Sequence, residues 1–216
     1  MKQNKTELVF ILDRSGSMSG LEDDTIGGFN SMIEKQKEEK GDAFVTTVLF
    51  DNKYELLHDR QDIKSLNTIT RKEYYVRGST ALLDAIGITI NNVRQALFNL
   101  LEEQCPDKVV FVIITDGMEN ASTEYSYRKI KEMIEHQKSK YAWEFMFLGA
   151  NIDAVKTAES FGITEDRATN FCSDSQGTQL NYKVISEAVS CFRQGKKVTA
   201  DWKEEIEDDY KKRSRK

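Results

Sequence analysis

The chain of 216 residues is long enough for one domain with a large core and cramped for two. A hydrophobic fraction of 39% suits a soluble globular protein, and a net charge of −5 provides no basic surface for nucleic acid or an anionic membrane. The longest apolar runs, Leu8 to Leu12 and Val109 to Ile114, fall far short of the roughly 20 residues needed to cross a bilayer.

Leu8 to Leu12 is continuous and stops at Asp13 and a Ser/Gly-rich stretch, as expected of a strand buried on both faces of a parallel sheet. Apolar spacings of three and four predict an amphipathic helix from Asp24 to Lys40, with Gly41 as its stop. Phe44 to Phe50 and Tyr54 to Leu57 read as two strands of an antiparallel hairpin, followed by a short helix near Ile63 to Leu66. A loop through Gly78, Ser79 and Thr80 leads into the longest helical pattern, Leu82 to Leu101, which must end before Pro106. Val109 to Thr115 is a second buried strand, again ending at an aspartate, Asp116, with Gly117 behind it. A helix over 125–137, a strand over 144–149, a helix over 153–161, a short edge strand over 168–172 and a helix over 180–192 complete the pattern. From about Lys196 the sequence is a charged tail, acidic to Asp209 and then basic from Lys211 to Lys216, and the basic run is expected to be a solvated, disordered end.

Strands alternating with helices predict a Rossmann-like, doubly wound α/β fold: a mostly parallel sheet with one short antiparallel strand and helices on both faces. One domain covers 1–195, with 196–216 as the tail. Ligands of such sheets bind beyond the carboxyl ends of the strands, at the switch in strand order. Three predicted strands end there in Gly-containing polar loops: 13–20, 116–117 and 149–153. The three cysteines, Cys105, Cys172 and Cys191, form no CxxC pair, and reduced, buried thiols are expected. His58 and His136 form no plausible Ser-His-Asp set.

An aspartate at the tip of a buried strand is costly unless something pairs with it. Asp13 is followed by Ser15 and Ser17, which add neutral oxygens at alternating positions, and Gly16 and Gly20 let the loop curl. A hard cation such as Mg²⁺ takes oxygen ligands and keeps several waters. Asp116 at the neighbouring strand end would repel Asp13 without a cation. Each piece alone has a plainer reading: Asp13 with its serines, or Thr80, as a helix cap; Glu119 and Asn120 as a solvated loop.

Taken together, Val9 to Met18 resembles the DxSxS motif of von Willebrand factor A domains; Gly78-Ser79-Thr80 resembles that family's second metal loop, and Ile114 to Gly117 its third. The likeness runs from about residue 5 to 195; it departs at Ser79, where the family often has glycine. The resemblance implies a metal-ion-dependent adhesion site in which Asp13, Ser15, Ser17, Thr80 and Asp116 act on Mg²⁺ (or Mn²⁺ or Ca²⁺), directly or through water. It also implies a metal-dependent protein–protein interaction module, not an enzyme, with a partner's Asp or Glu completing the metal's shell. Neither nucleic acid nor membrane is expected as a partner, and the apolar run near the N-terminus is too short for a signal peptide, so a cytoplasmic adaptor is expected. Met18, Ser19, Ser79, Met118 to Asn120 and Asn151 are candidates for the rim. An alternative resemblance is to the Mg²⁺-dependent haloacid dehalogenase phosphohydrolases, but these carry a second aspartate where this chain has Ser15.

Overall fold

The computed structural model describes residues 4–214; residues 1–3 and the last two of the basic run, Arg215 and Lys216, lie outside them. The elements in chain order are β1 (Thr6–Asp13), α1 (Glu22–Glu38), β2 (Ala43–Phe50), β3 (Tyr54–Asp62), α2 (Leu82–Phe98), β4 (Lys108–Thr115), α3 (Tyr127–Tyr141), β5 (Glu144–Gly149), α4 (Ala154–Ser160), β6 (Ala168–Asn170), α5 (Ser175–Arg193) and α6 (Glu204–Arg213). The sheet order is β3-β2-β1-β4-β5-β6, with β3 alone antiparallel. This is the expected fold class. β1 pairs with β2 on one side and β4 on the other, Leu12 standing opposite both Leu49 and Ile114. The chain therefore changes direction across the sheet between β1 and β4, and their carboxyl ends splay loops to opposite faces.

Continuous apolar runs make central strands because both faces of the sheet are covered. Leu8, Phe10 and Leu12 face α1 and α5, packing with Phe29, Met32, Tyr182, Ile185 and Val189. Val9 and Ile11 point the other way, towards Leu82, Ile86 and Ile90 of α2 and Ile130 and Ile134 of α3. On the first face α1 and α5 approach very closely: a Cβ on Gly28 would sit 2.3 Å from the Tyr182 ring. Gln36 donates to the Ser186 carbonyl at 2.9 Å and to Ser190 Oγ at 2.9 Å, tying the far ends of the same two helices.

Several elements differ from the sequence reading. β3 continues to Asp62 rather than stopping near Leu57, with irregular register around Thr47. α2 ends at Phe98, three residues early, and α5 begins at Ser175, where the Asp174 carboxylate caps the Gly177 N–H at 2.8 Å. The charged tail is partly helical, and α6 carries the helix as far as Arg213, into the basic run expected to be disordered: α6 buries Ile206, and the buried Lys203 ammonium donates to the carbonyls of Glu165 and Ala168 at 2.8 Å each. No cysteine is buried: Cys105 is exposed, while Cys172 and Cys191 are intermediate. Among the described residues no helix is long and apolar enough to cross a membrane.

Candidate metal centre

At the end of β1 the buried Asp13 carboxylate organises its own loop. Oδ1 accepts from the Ser15 N–H at 2.6 Å, turning the chain, and Oδ2 accepts from Thr115 Oγ1 at the end of β4, also at 2.6 Å. Tyr74 donates its hydroxyl to the Asp13 carbonyl at 2.6 Å. The turn brings Ser15 Oγ to 3.0 Å from Ser17 Oγ, and Thr80 Oγ1 donates to Ser15 Oγ at 3.0 Å. The end of β4 closes the group: a Cβ on Gly117 would lie 3.1 Å from Ser17 Oγ and 3.3 Å from Thr80 Oγ1. Asp116 is 1% exposed; its Oδ2 accepts from Ser173 Oγ at 3.0 Å, while its buried Oδ1 has no hydrogen-bond partner. The five oxygen-bearing residues singled out in the sequence thus lie on neighbouring loops at the β1/β4 switch.

The second loop is fixed by an ion cluster centred on the buried Arg14 and Asp51. Arg14 turns away from the two aspartates: its Nε donates to Asp51 Oδ2 at 3.0 Å and its Nη2 to Glu55 at 2.6 Å. Arg77 Nε reaches the same Asp51 oxygen at 2.6 Å. The backbones of the two loops are stitched by Arg77 N–H to the Arg14 carbonyl at 2.9 Å and Gly16 N–H to the Gly78 carbonyl at 3.1 Å. Gly78 has φ +70°, a left-handed conformation that glycine adopts without steric cost. Thr80 is not a helix cap, because its hydroxyl faces Ser15 and its own N–H is held by Asn120 Oδ1 at 2.9 Å.

Glu119 and Asn120 are not a merely solvated loop. The Glu119 carboxylate accepts from Leu83 N–H at 2.8 Å at the start of α2, and from Ala121 and Ser122 N–H at 2.9 and 2.7 Å. Asn120 N–H returns to the Thr80 carbonyl at 3.0 Å. Met18 is buried, whereas Met118 is 71% exposed at the rim. Asn151, at φ 55°, is exposed and donates to the Asp116 carbonyl at 3.4 Å. His58 lies on β3 and His136 on α3.

Burial pushes the carboxyl groups of Asp13 and Asp116 above the usual carboxylate range, against hydrogen bonds from Thr115 and Ser15 to Asp13 and from Ser173 to Asp116. Neither forms an ion pair among the described residues, where no cluster of three or more His, Cys, Asp or Glu is placed to bind a metal. The donors are two carboxylates and three hydroxyls, with one carboxylate oxygen unmatched, a set that fits a hard cation completed by water rather than a soft one.

Sequence reasoning missed Ser173. It follows a three-residue strand whose carboxyl end gives no apolar run to mark it, so the only available signal was the general rule that strand-end loops meet at the switch.

No protein-family model and no curated protein matches the sequence. Solved structures with a similar fold include a variant of the PilB minor pilin from Streptococcus sanguinis, with TM-score 0.60 and 13% identity over 86% of this chain and 61% of that one. Proximal thread matrix protein 1 from the mussel byssus, with a zinc-occupied MIDAS motif, gives TM-score 0.58 and 15% identity over 86% of this chain and 46% of that one. A von Willebrand factor type A protein from Catenulispora acidiphila gives TM-score 0.56 and 13% identity over 86% and 42%. The chain spans about half the length of these proteins. The likeness extends to the fold, which is that of the von Willebrand factor A domains.

Proposed function

We propose that the chain is a metal-dependent protein–protein interaction module. Asp13 and Asp116 supply charge, and Ser15, Ser17 and Thr80 supply neutral oxygens, directly or through water, to one divalent cation of the Mg²⁺ type, with Mn²⁺ and Ca²⁺ as substitutes. The observation that carries this reading is the buried Asp116 Oδ1 without a hydrogen-bond partner, at an edge where three hydroxyls converge and, among the described residues, no basic side chain pairs with either aspartate. The zinc-occupied MIDAS motif in the similarly folded byssus protein supports it further. When bound, the cation supplies positive charge with appetite for an anionic oxygen. The chain's own residues hold it, orient it through the stitched loops, and leave Met118 and Asn151 exposed beside it. A partner's Asp or Glu completes the shell. The role we infer is that of a cytoplasmic adaptor without catalysis of its own, since Ser15 stands where a haloacid dehalogenase-type phosphatase would need its second aspartate.

The test is capture of partners from native lysate in Mg²⁺ and in EDTA, with wild-type and Asp116→Ala bait, beside phosphatase assays. Expected are proteins retained by the wild type in Mg²⁺ alone, and background turnover. Equal capture in EDTA, or turnover lost in Asp13→Asn, would overturn the reading.

A further inference from the structure

The metal-centre reading leaves one neighbour of Asp116 unassigned. Ser173, in the loop between β6 and α5, donates its hydroxyl to Asp116 Oδ2 at 3.0 Å. That contact fixes which oxygen of Asp116 is occupied by the protein and leaves Oδ1 as the one without a partner. Hydrogen bonds to a ligand's second oxygen set its orientation and basicity, and in metal sites they matter nearly as much as the ligands.

The Ser173 loop is itself pinned from a distance. Phe171 N–H bonds to the Gly149 carbonyl at 3.1 Å, and Asp174 N–H to the Cys172 carbonyl at 2.9 Å. The next residue along, Asp174, has two duties: Oδ1 caps α5 through Gly177 N–H at 2.8 Å, and Oδ2 accepts from Arg213 on α6. Arg213 also reaches Asp209 of its own helix. There is no slack at this junction, since a Cβ on Gly177 would come within 2.0 Å of the Cys172 carbonyl oxygen and 3.2 Å of Arg213 Nη2. α6 does not depend on Arg213 for its seat, because Ile206 is buried and Lys203 is held by two carbonyls.

Resting on the metal-centre reading, we propose that Ser173 is a positioning residue for Asp116, and that Arg213 holds Ser173 in place through Asp174, so that α6 sets the affinity of the cation site from outside it. The segment that the sequence presents as a charged tail then belongs to the binding machinery.

The experiment uses the full chain and Mn²⁺ alone as probe, titrated calorimetrically, with melting temperatures recorded for each variant. Wild type should bind, and Ser173→Ala should bind about 10-fold more weakly, the lower end for loss of such a partner. Ser173→Thr, which keeps the hydroxyl, should restore most of that loss. Arg213→Ala and Asp174→Asn, the latter keeping an acceptor for the helix cap, should each weaken binding by about threefold, less than the roughly 10-fold loss of a direct outer partner because each acts at one remove. Neither should weaken it further in a Ser173→Ala background, because both act through Ser173. Wild-type Mn²⁺ binding with an unchanged Ser173→Ala variant would overturn this proposal alone, as would losses that simply add in the double variants. A folded wild type that binds no Mn²⁺ would remove the metal-centre reading and this proposal with it.

Discussion

β1 carries a buried acid near each end, and the two are served in opposite ways. Glu7, at the entry to the strand, is fully buried, and the protein supplies its counter-charge: Arg60 Nε donates to Oε2 at 3.0 Å, and Thr46 Oγ1 to Oε1 at 3.4 Å. Even so, burial outweighs Arg60 and pushes the Glu7 carboxyl up to about 7. Asp13, six residues on and about 20 Å away along an extended strand, lies as deep. It shares its edge with a second buried aspartate and has hydroxyl and backbone donors but no ion pair among the described residues. The nearest arginine in sequence, Arg14, is committed to Asp51 and Glu55. Burying a carboxylate carries a similar cost at either end. A structural acid has its cation built into the fold; an acid at the ligand edge is arranged for one that arrives.

The sharpest way to break this contrast is at the ligand edge. Asp13→Ala and Asp116→Ala should each abolish calorimetric Mg²⁺ and Mn²⁺ binding, a loss of more than about 100-fold, beyond what outer-sphere changes produce. The wild type in EDTA should keep its circular-dichroism spectrum, because both apolar cores form without the ion. Measurable binding in both variants would erase the distinction between the ends of β1.

Glu7 gives the next effect. Its folded-state pKa lies above the unfolded value of 4.5, so the native state binds the extra proton between about 4.5 and 7. Its contribution is full below that window and is lost as pH rises through it, on the order of 2 to 3 kcal/mol between pH 5 and 8. Urea unfolding at the two pH values should show that loss in wild type and a flatter response in Glu7→Gln, with Mg²⁺ affinity untouched. An identical slope in the variant would mean that Arg60 suffices to keep Glu7 ionised.

The smallest expected effect is Thr80→Ala, which removes a hydroxyl from the convergence but no charge. Cation affinity should fall about 10-fold, with a melting temperature within a few degrees of wild type, since a lost hydrogen bond is worth about 1 kcal/mol. Intact affinity would make Thr80 a loop-stitching residue only.

What the sequence disclosed follows from where side chains see one environment. Leu8 to Leu12 and Val109 to Ile114 are buried on both faces, so their apolar runs announce central strands, and Asp13 and Asp116 mark where those runs stop. Thr80 was legible through its motif. β3 was read five residues short because it is an edge strand: His58, Asp59, Arg60, Gln61 and Asp62 are polar residues at partly solvated positions, and nothing in them distinguishes strand from loop. α6 was hidden for another reason: one buried apolar residue, Ile206, gives no periodicity, and the polar contacts of Lys203, Trp202 and Arg213 are with partners far away in sequence. Ser173 was invisible for the same reason, since its meaning lies 57 residues away at Asp116.

The close seating of Gly28 against Tyr182 also bears on how the chain is made. Much of one face of the sheet is covered by α1 and α5, helices separated by roughly 140 residues. At ribosomal speeds of about 5–20 residues per second, the apolar side of α1 and β1 waits for roughly 7–30 seconds before its cover exists. During synthesis Phe10, Phe29 and Met32 are therefore surfaces for chaperones to hold. Gly28→Ala, by obstructing the final docking of Tyr182, is expected to lower the yield of soluble protein at 37 °C far more than a solvent-facing Gly→Ala in the same helix.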